Sequence, residues 1–145
     1  MADPGRKSAV EVITAADQTR LVNPGVTSLQ LLWPGNSSAA QVTVTRVTIE
    51  PGGGQPRHSH PASEQTWIIE RGSAELLLAD GTQILCAGDV VRTPAGEIHG
   101  LHNSGAEPFI YLAITTPPVD FRAAYGGELI IPPRGGKRRR PPKTI

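Results

Sequence analysis

The sequence predicts an all-β sandwich or small barrel, and three observations carry that prediction. Glycine (16) and proline (14) together make up 30 of the 145 residues, and both interrupt helices. Short runs of β-forming residues recur at close, regular spacing between turn signals. No long segment shows the 3.6-residue apolar period of a helix. The length suits one domain with one core.

Each strand follows from local pattern. Val10–Ile13 is a short strand candidate, and Asn23-Pro24-Gly25 is a turn leading into a strand at Ser28–Trp33. Pro34-Gly35-Asn36 stops that strand. Gln41–Glu50 alternates Val and Thr, the strongest strand signal in the chain, and Pro51-Gly52-Gly53-Gly54 ends it. Gln65–Glu70 places Trp67 and Ile69 on one face, and Arg71-Gly72 turns the chain into the apolar run Ala74–Ala79. Asp80-Gly81 is a hairpin signal that returns the chain along Thr82–Cys86. Val90–Arg92, Ile98–Asn103 and Pro108–Thr115 follow, separated by Ala87-Gly88-Asp89 and Pro94-Ala95-Gly96, and Val119–Tyr125 reads as a short helix. The total is nine strands.

The formal net charge of +1 conceals a split. Six of the 14 basic residues lie in Arg134–Ile145, so residues 1–131 hold 8 basic and 13 acidic groups, a net of −5. The chain therefore divides into an N-terminal segment (1–35) with flanking strands able to reach a partner subunit, a barrel (36–131) and a basic Pro/Gly-rich tail (132–145). Such a tail reads first as a solvated terminus. It leaves contact with nucleic acid open, although the body has no aromatic-basic interleaving that would favour it. The single cysteine, Cys86, excludes a disulfide framework and a thiolate zinc cluster, and is expected to be a buried small hydrophobe. No window approaches a membrane span, and Met1–Gln18 lacks a signal-peptide apolar core, so a soluble, cytoplasmic protein is expected. No GxSxG elbow, P-loop or GxGxxG follows a strand.

The chemistry is concentrated in the histidines. All four fall in two clusters, His58 with His60 and His99 with His102. Residues two apart on a strand share a face, so His58 and His60 can reach one divalent ion. Glu64 and Gln65 lie just beyond and offer an oxygen, and His99 would close the site from a distant strand. An HxH pair alone more often marks surface histidines. The two clusters in their glycine frame are more specific. Gly52 precedes His58-Ser59-His60, then Glu64/Gln65 and Gly72, and after 15 intervening residues comes Gly88-x5-Pro94-x-Gly96-x2-His99-x3-Asn103.

This frame resembles the two-motif signature of the cupin superfamily over about residues 40–116. The resemblance implies a double-stranded β-helix, or jelly roll, with a metal inside the barrel. It implies ligands His58, His60, Gln65 and His99, with Glu64 as the alternative. With six residues between it and Gly72, Gln65 stands where the family usually has glutamate, and alternation favours Gln65 because it shares a face with Trp67 and Ile69. The metal would be one divalent transition ion: Fe, Mn, Ni, Co, Cu or Zn. A neutral donor set leaves it with its full positive charge, which suits a carboxylate or enolate ligand. His102 falls on the face opposite His99, whereas Asn103 shares the His99 face and is placed to anchor the turn. Trp67, Ile69, Leu101, Phe109 and Tyr111 are candidate pocket walls. Arg57 and Arg92 are candidates to meet a carboxylate, though exposed arginines at strand ends are commoner, and Glu97 is expected in solvent.

The expected function is a metal-dependent cupin enzyme acting on a small organic substrate, of dioxygenase, decarboxylase, isomerase, lyase or cyclase type. The alternative is a non-catalytic small-molecule-binding module with a basic docking tail. A third reading makes the metal purely structural. A homodimer is expected, because cupins commonly pair barrels through sheet edges.

Overall fold

The computed structural model describes residues 8–125 and the backbone of 130–131. The basic tail lies outside these residues. Eleven strands form two antiparallel sheets: β1 (Thr19–Asn23), β2 (Val26–Leu32), β3 (Thr43–Ile49), β4 (Gly54–His58), β5 (Glu64–Arg71), β6 (Ser73–Leu78), β7 (Thr82–Cys86), β8 (Val90–Thr93), β9 (His99–His102), β10 (Phe109–Thr116) and β11 (Ile130–Ile131). One sheet has the order β11-β1-β2-β3-β10-β5-β8, the other β4-β9-β6-β7. The architecture is the all-β double-stranded β-helix that the sequence predicts.

Alternation decides which side chains enter the barrel. In β3 and β10 every second residue is buried, and β3 pairs with β10 in unbroken register from Phe109↔Ile49 to Thr115↔Thr43. Trp67, Phe109, Tyr111, Ile49, Ile69 and Leu101 fill the interior where the two sheets close on each other. The hairpins form where glycine supplies positive φ, as at Gly72 (81°) and Gly81 (101°).

Several expectations change. Val10–Ile13 is not a strand, both valines are exposed, and among the described residues no strand pairs with that segment. Three strands lie where the sequence reading placed none: β1 at Thr19–Asn23, β4 after the glycine run and β11 at Ile130–Ile131. β1 and β2, both within the expected N-terminal segment, pair in this chain's own sheet. The expected helix at Val119–Tyr125 is a 3-10 turn at Phe121–Tyr125. Cys86 is exposed rather than buried, because Leu85 takes the inward position on edge strand β7.

Asn103 ties the end of β9 to the loops around it. It is fully buried, its Nδ2 donates to the carbonyls of Ile49 (3.0 Å) and Glu107 (2.8 Å), and its Oδ1 accepts the Gly105 N–H (2.9 Å). Its backbone pairs with Gly52 and Gly53 at the entrance to β4. Asn103→Ala leaves buried backbone groups without partners and is expected to lower unfolding stability by about 2–4 kcal/mol. Urea denaturation at neutral pH measures this, and a loss below about 1 kcal/mol would contradict the anchoring role.

Candidate metal centre

The site is built by the close approach of β4 and β9. A Cβ at Gly100 would lie 2.8 Å from the Gln55 carbonyl oxygen and 3.0 Å from the Arg57 nitrogen. A Cβ at Gly54 would lie 2.5 Å from the Leu101 carbonyl oxygen. Only glycine at both positions lets the two strands lie this close. The register then places His58 opposite His99, across an irregularity between Gln55 and His58. The Arg57 Nε bond to the Leu78 carbonyl (2.7 Å) ties β4 to β6.

Three imidazoles meet there. The ring centroids are 4.4 Å apart for His58 and His99, 5.0 Å for His58 and His60, and 5.1 Å for His60 and His99. One nitrogen from each ring lies within 4.8 Å of the others. Backbone carbonyls orient two of the rings: His58 Nδ1 donates to Pro56 (2.7 Å) and His99 Nδ1 to Glu97 (3.0 Å). With Nδ1 protonated, each Nε2 carries a free lone pair. His99 Nε2 is buried and has no partner among the described residues, and a buried polar atom without a partner is costly. Burial and the neighbouring His58 and His99 rings lower the His60 pKa from 6.5 to about 4. Burial also lowers that of His99, opposed by the Glu97 carbonyl bond and reinforced by His58. At neutral pH His60 and His99 are therefore uncharged donors. Converging neutral imidazoles with an orphaned lone pair fit a first-row divalent cation.

The remaining candidates divide. Gln65 is buried and lines the same cavity as His58 and His60. Its Nε2 donates to Thr115 Oγ1 (2.9 Å), and its Oε1 accepts the Trp67 indole N–H (2.7 Å), leaving one oxygen lone pair open. Glu64 points to the outer face, where Arg92 pairs with its carboxylate at 2.6 Å, and it stands apart from the histidine group. The alternation that turns Gln65 inward turns Glu64 outward. Arg57 and Arg92 are thus both engaged outside the cavity. His102 is exposed, as its odd spacing from His99 requires.

A cavity of about 490 Å³ adjoins the histidines. Of the five candidate walls, only Tyr111 lines it. Trp67, Ile69, Leu101 and Phe109 are a correction: they point inward as alternation predicts, but pack into the core and fill space instead of bounding it. Trp67 still shapes the site, with its ring edge-on to His99 at 5.7 Å. The lining also includes residues that sequence reasoning passed over: Ser28, Gln55, Phe121 and Tyr125. For Ser28 a signal existed, since the inward row of β2 runs Val26, Ser28, Gln30 and is unusually polar. Phe121 and Tyr125 had no such signal, because a 3-10 turn after the last long strand has no fixed inward face. Phe121 stands edge-on to His60 at 5.7 Å.

The depressed His60 pKa has a consequence for the metal-free protein. Between about pH 6.5 and 4 the unfolded chain binds a proton at this position that the folded chain resists. Stability therefore falls as pH drops through that window. The urea midpoint of metal-free wild type should decline from pH 6.5 to 4 more steeply than that of His60→Asn. Parallel pH profiles would contradict the assigned environment.

Residues 45–115 match the family model described as Cupin domain. Germin-like protein 5-1 of Oryza sativa subsp. japonica is 31% identical over 91 residues, covering 58% of this chain and 39% of that protein. The chain thus spans about two fifths of this relative's length. A Klebsiella pneumoniae protein with a double-stranded β-helix domain superposes with a TM-score of 0.61 at 27% identity, covering 77% of this chain and 92% of the other. A predicted oxalate decarboxylase from Thermotoga maritima superposes with a TM-score of 0.64 at 21% identity, covering 74% and 99%, a likeness of fold alone. Sequence match, fold and histidine frame agree: the chain carries a cupin domain over residues 45–115.

Proposed function

We propose that the protein binds one divalent transition metal through His58, His60 and His99, with Gln65 as a neutral fourth oxygen donor, and uses it to act on a small organic carboxylate or enol. The observation that carries this reading is the orphaned, buried His99 Nε2 converging with the other two imidazoles beside a cavity. A cation bound there supplies Lewis acidity toward a ligand oxygen. Because every donor is neutral, the residues leave its charge uncompensated and select an anionic oxygen. Trp67 and Phe121, edge-on to His99 and His60, keep water from the outer sides of those rings. Tyr111 is deeply buried, which pushes its pKa well up, and its hydroxyl donates to Gln55 Oε1 (3.0 Å). Burial likewise raises the Tyr125 pKa. Both phenols therefore act as hydrogen-bonding groups and not as bases at neutral pH.

A second reading has a specific observation behind it. The described lining contains no carboxylate to act as a general acid or base, which also suits a module that captures a ligand without converting it. Turnover of a bound acid by metal-loaded protein separates the two. The expected homodimer has a surface available: Ile68 and Val90 are register partners on the outer face at the β5–β8 edge, and both are exposed. Among the described residues no helix is long and apolar enough to cross a membrane.

His99→Ala is expected to abolish stoichiometric metal uptake, read by elemental analysis, while circular dichroism retains the β-sheet signature. Full occupancy in this variant would overturn the ligand assignment. Gln65→Glu should tighten metal binding by about tenfold or more, because a carboxylate adds charge, still accepts the Trp67 indole N–H, and can accept from the Thr115 hydroxyl once that hydroxyl turns to donate. Unchanged affinity by calorimetry would show that residue 65 does not reach the cation.

A further inference from the structure

The cavity lining has a chemical character that restricts the ligand further, given the metal site proposed above. Besides His58 and His60, every described lining residue is uncharged. Val26, Val47, Ala113 and Phe121 give apolar walls. Four of the polar lining residues, Ser28, Gln55, Tyr111 and Tyr125, form one set. Gln55 precedes His58 by three residues on β4 and pairs with Leu101 where His58 pairs with His99, so this set lies further along the strand pair than the histidines. Gln55 Oε1 accepts the Tyr111 hydroxyl, and Ser28 and Gln55 both lie within hydrogen-bonding reach of Tyr125. Asn23 adds an independent sign. It lines the cavity and its Nδ2 donates to the Ala124 carbonyl, yet its Oδ1 is buried with no donor among the described residues. A buried amide oxygen without a donor is an acceptor awaiting one.

We propose that the cavity selects a monoanionic, largely apolar acid bearing a hydroxyl group. The anionic oxygen goes to the histidine centre, the apolar body lies against Val26, Val47, Ala113 and Phe121, and the hydroxyl donates to Asn23 Oδ1 beside the Tyr111–Gln55–Tyr125 set. Dianions are disfavoured. A second carboxylate or a phosphate would be desolvated against neutral walls without a countercharge, and burying an unpaired charge is strongly unfavourable.

Three acids with the same α-oxo-carboxylate head test this: phenylpyruvate, 4-hydroxyphenylpyruvate and 2-oxoglutarate. Each is titrated calorimetrically into full-length protein loaded with Zn(II), which is redox-inert, after elemental analysis has confirmed loading. Phenylpyruvate should bind at least about tenfold more tightly than 2-oxoglutarate. The 4-hydroxyl should add about threefold or more, a gain that disappears in Asn23→Leu while phenylpyruvate binding is retained. Equal or tighter binding of 2-oxoglutarate, or no binding of any of the three acids, to protein shown to be loaded overturns this inference and leaves the metal site standing. Failure to take up metal overturns the proposed function and this inference together.

Discussion

The interlock of β4 and β9 is the constraint on which the rest depends. Two glycines, Gly54 and Gly100, allow backbone approaches that any Cβ would block. That approach sets His58 opposite His99, and His60 completes the group two residues beyond His58. Asn103 fixes the far end of β9 by bonding to the Ile49 carbonyl and to the backbone at Gly52 and Gly53. His58, Gln65 and His99 stand on strands held by backbone packing and buried hydrogen bonds, while His60 lies just beyond β4, where its carbonyl accepts the Gly96 N–H. Placing donor side chains on strands with this support gives the geometric precision that metal binding needs.

Electrostatics then follow from the packing. Burial disfavours the protonated forms of His60 and His99, and carbonyls of Pro56 and Glu97 direct the Nδ1 protons of His58 and His99 away from the centre. The result is a set of lone pairs facing one another, one of them on His99 without a partner among the described residues. In the proposed site, Gln65 in place of a carboxylate keeps the donor set neutral. Its amide also holds Trp67 and Thr115, so the residue joins the metal site to the core. Position 65 thus affects both the charge felt by a ligand and the packing behind it.

Much of this was legible in the sequence, for identifiable reasons. The Val/Thr alternation of Gln41–Glu50 matches β3, and the Asp80-Gly81 signal sits in the β6–β7 hairpin. The spacing of His58, His60 and His99 within a glycine frame singled out the residues that the fold brings together. Inward phase separated Gln65 from Glu64. Strand period alone does not tell a wall from a filler, so Trp67, Ile69, Leu101 and Phe109 appeared as cavity lining when they are core. β4 escaped notice because Pro56 and three flanking glycines mask a strand that sits at a sheet edge, where proline is tolerated. The contribution of Phe121 and Tyr125 depends on where a 3-10 turn lands after β10, which no local pattern specifies.

X-ray absorption at the zinc edge of the Zn(II)-loaded wild-type protein tests the central claim most directly. The account predicts a first shell of nitrogen and oxygen at about 2.0–2.2 Å with the multiple-scattering pattern of three imidazoles. A shell of oxygens alone, or scattering from fewer than two imidazoles, would contradict it.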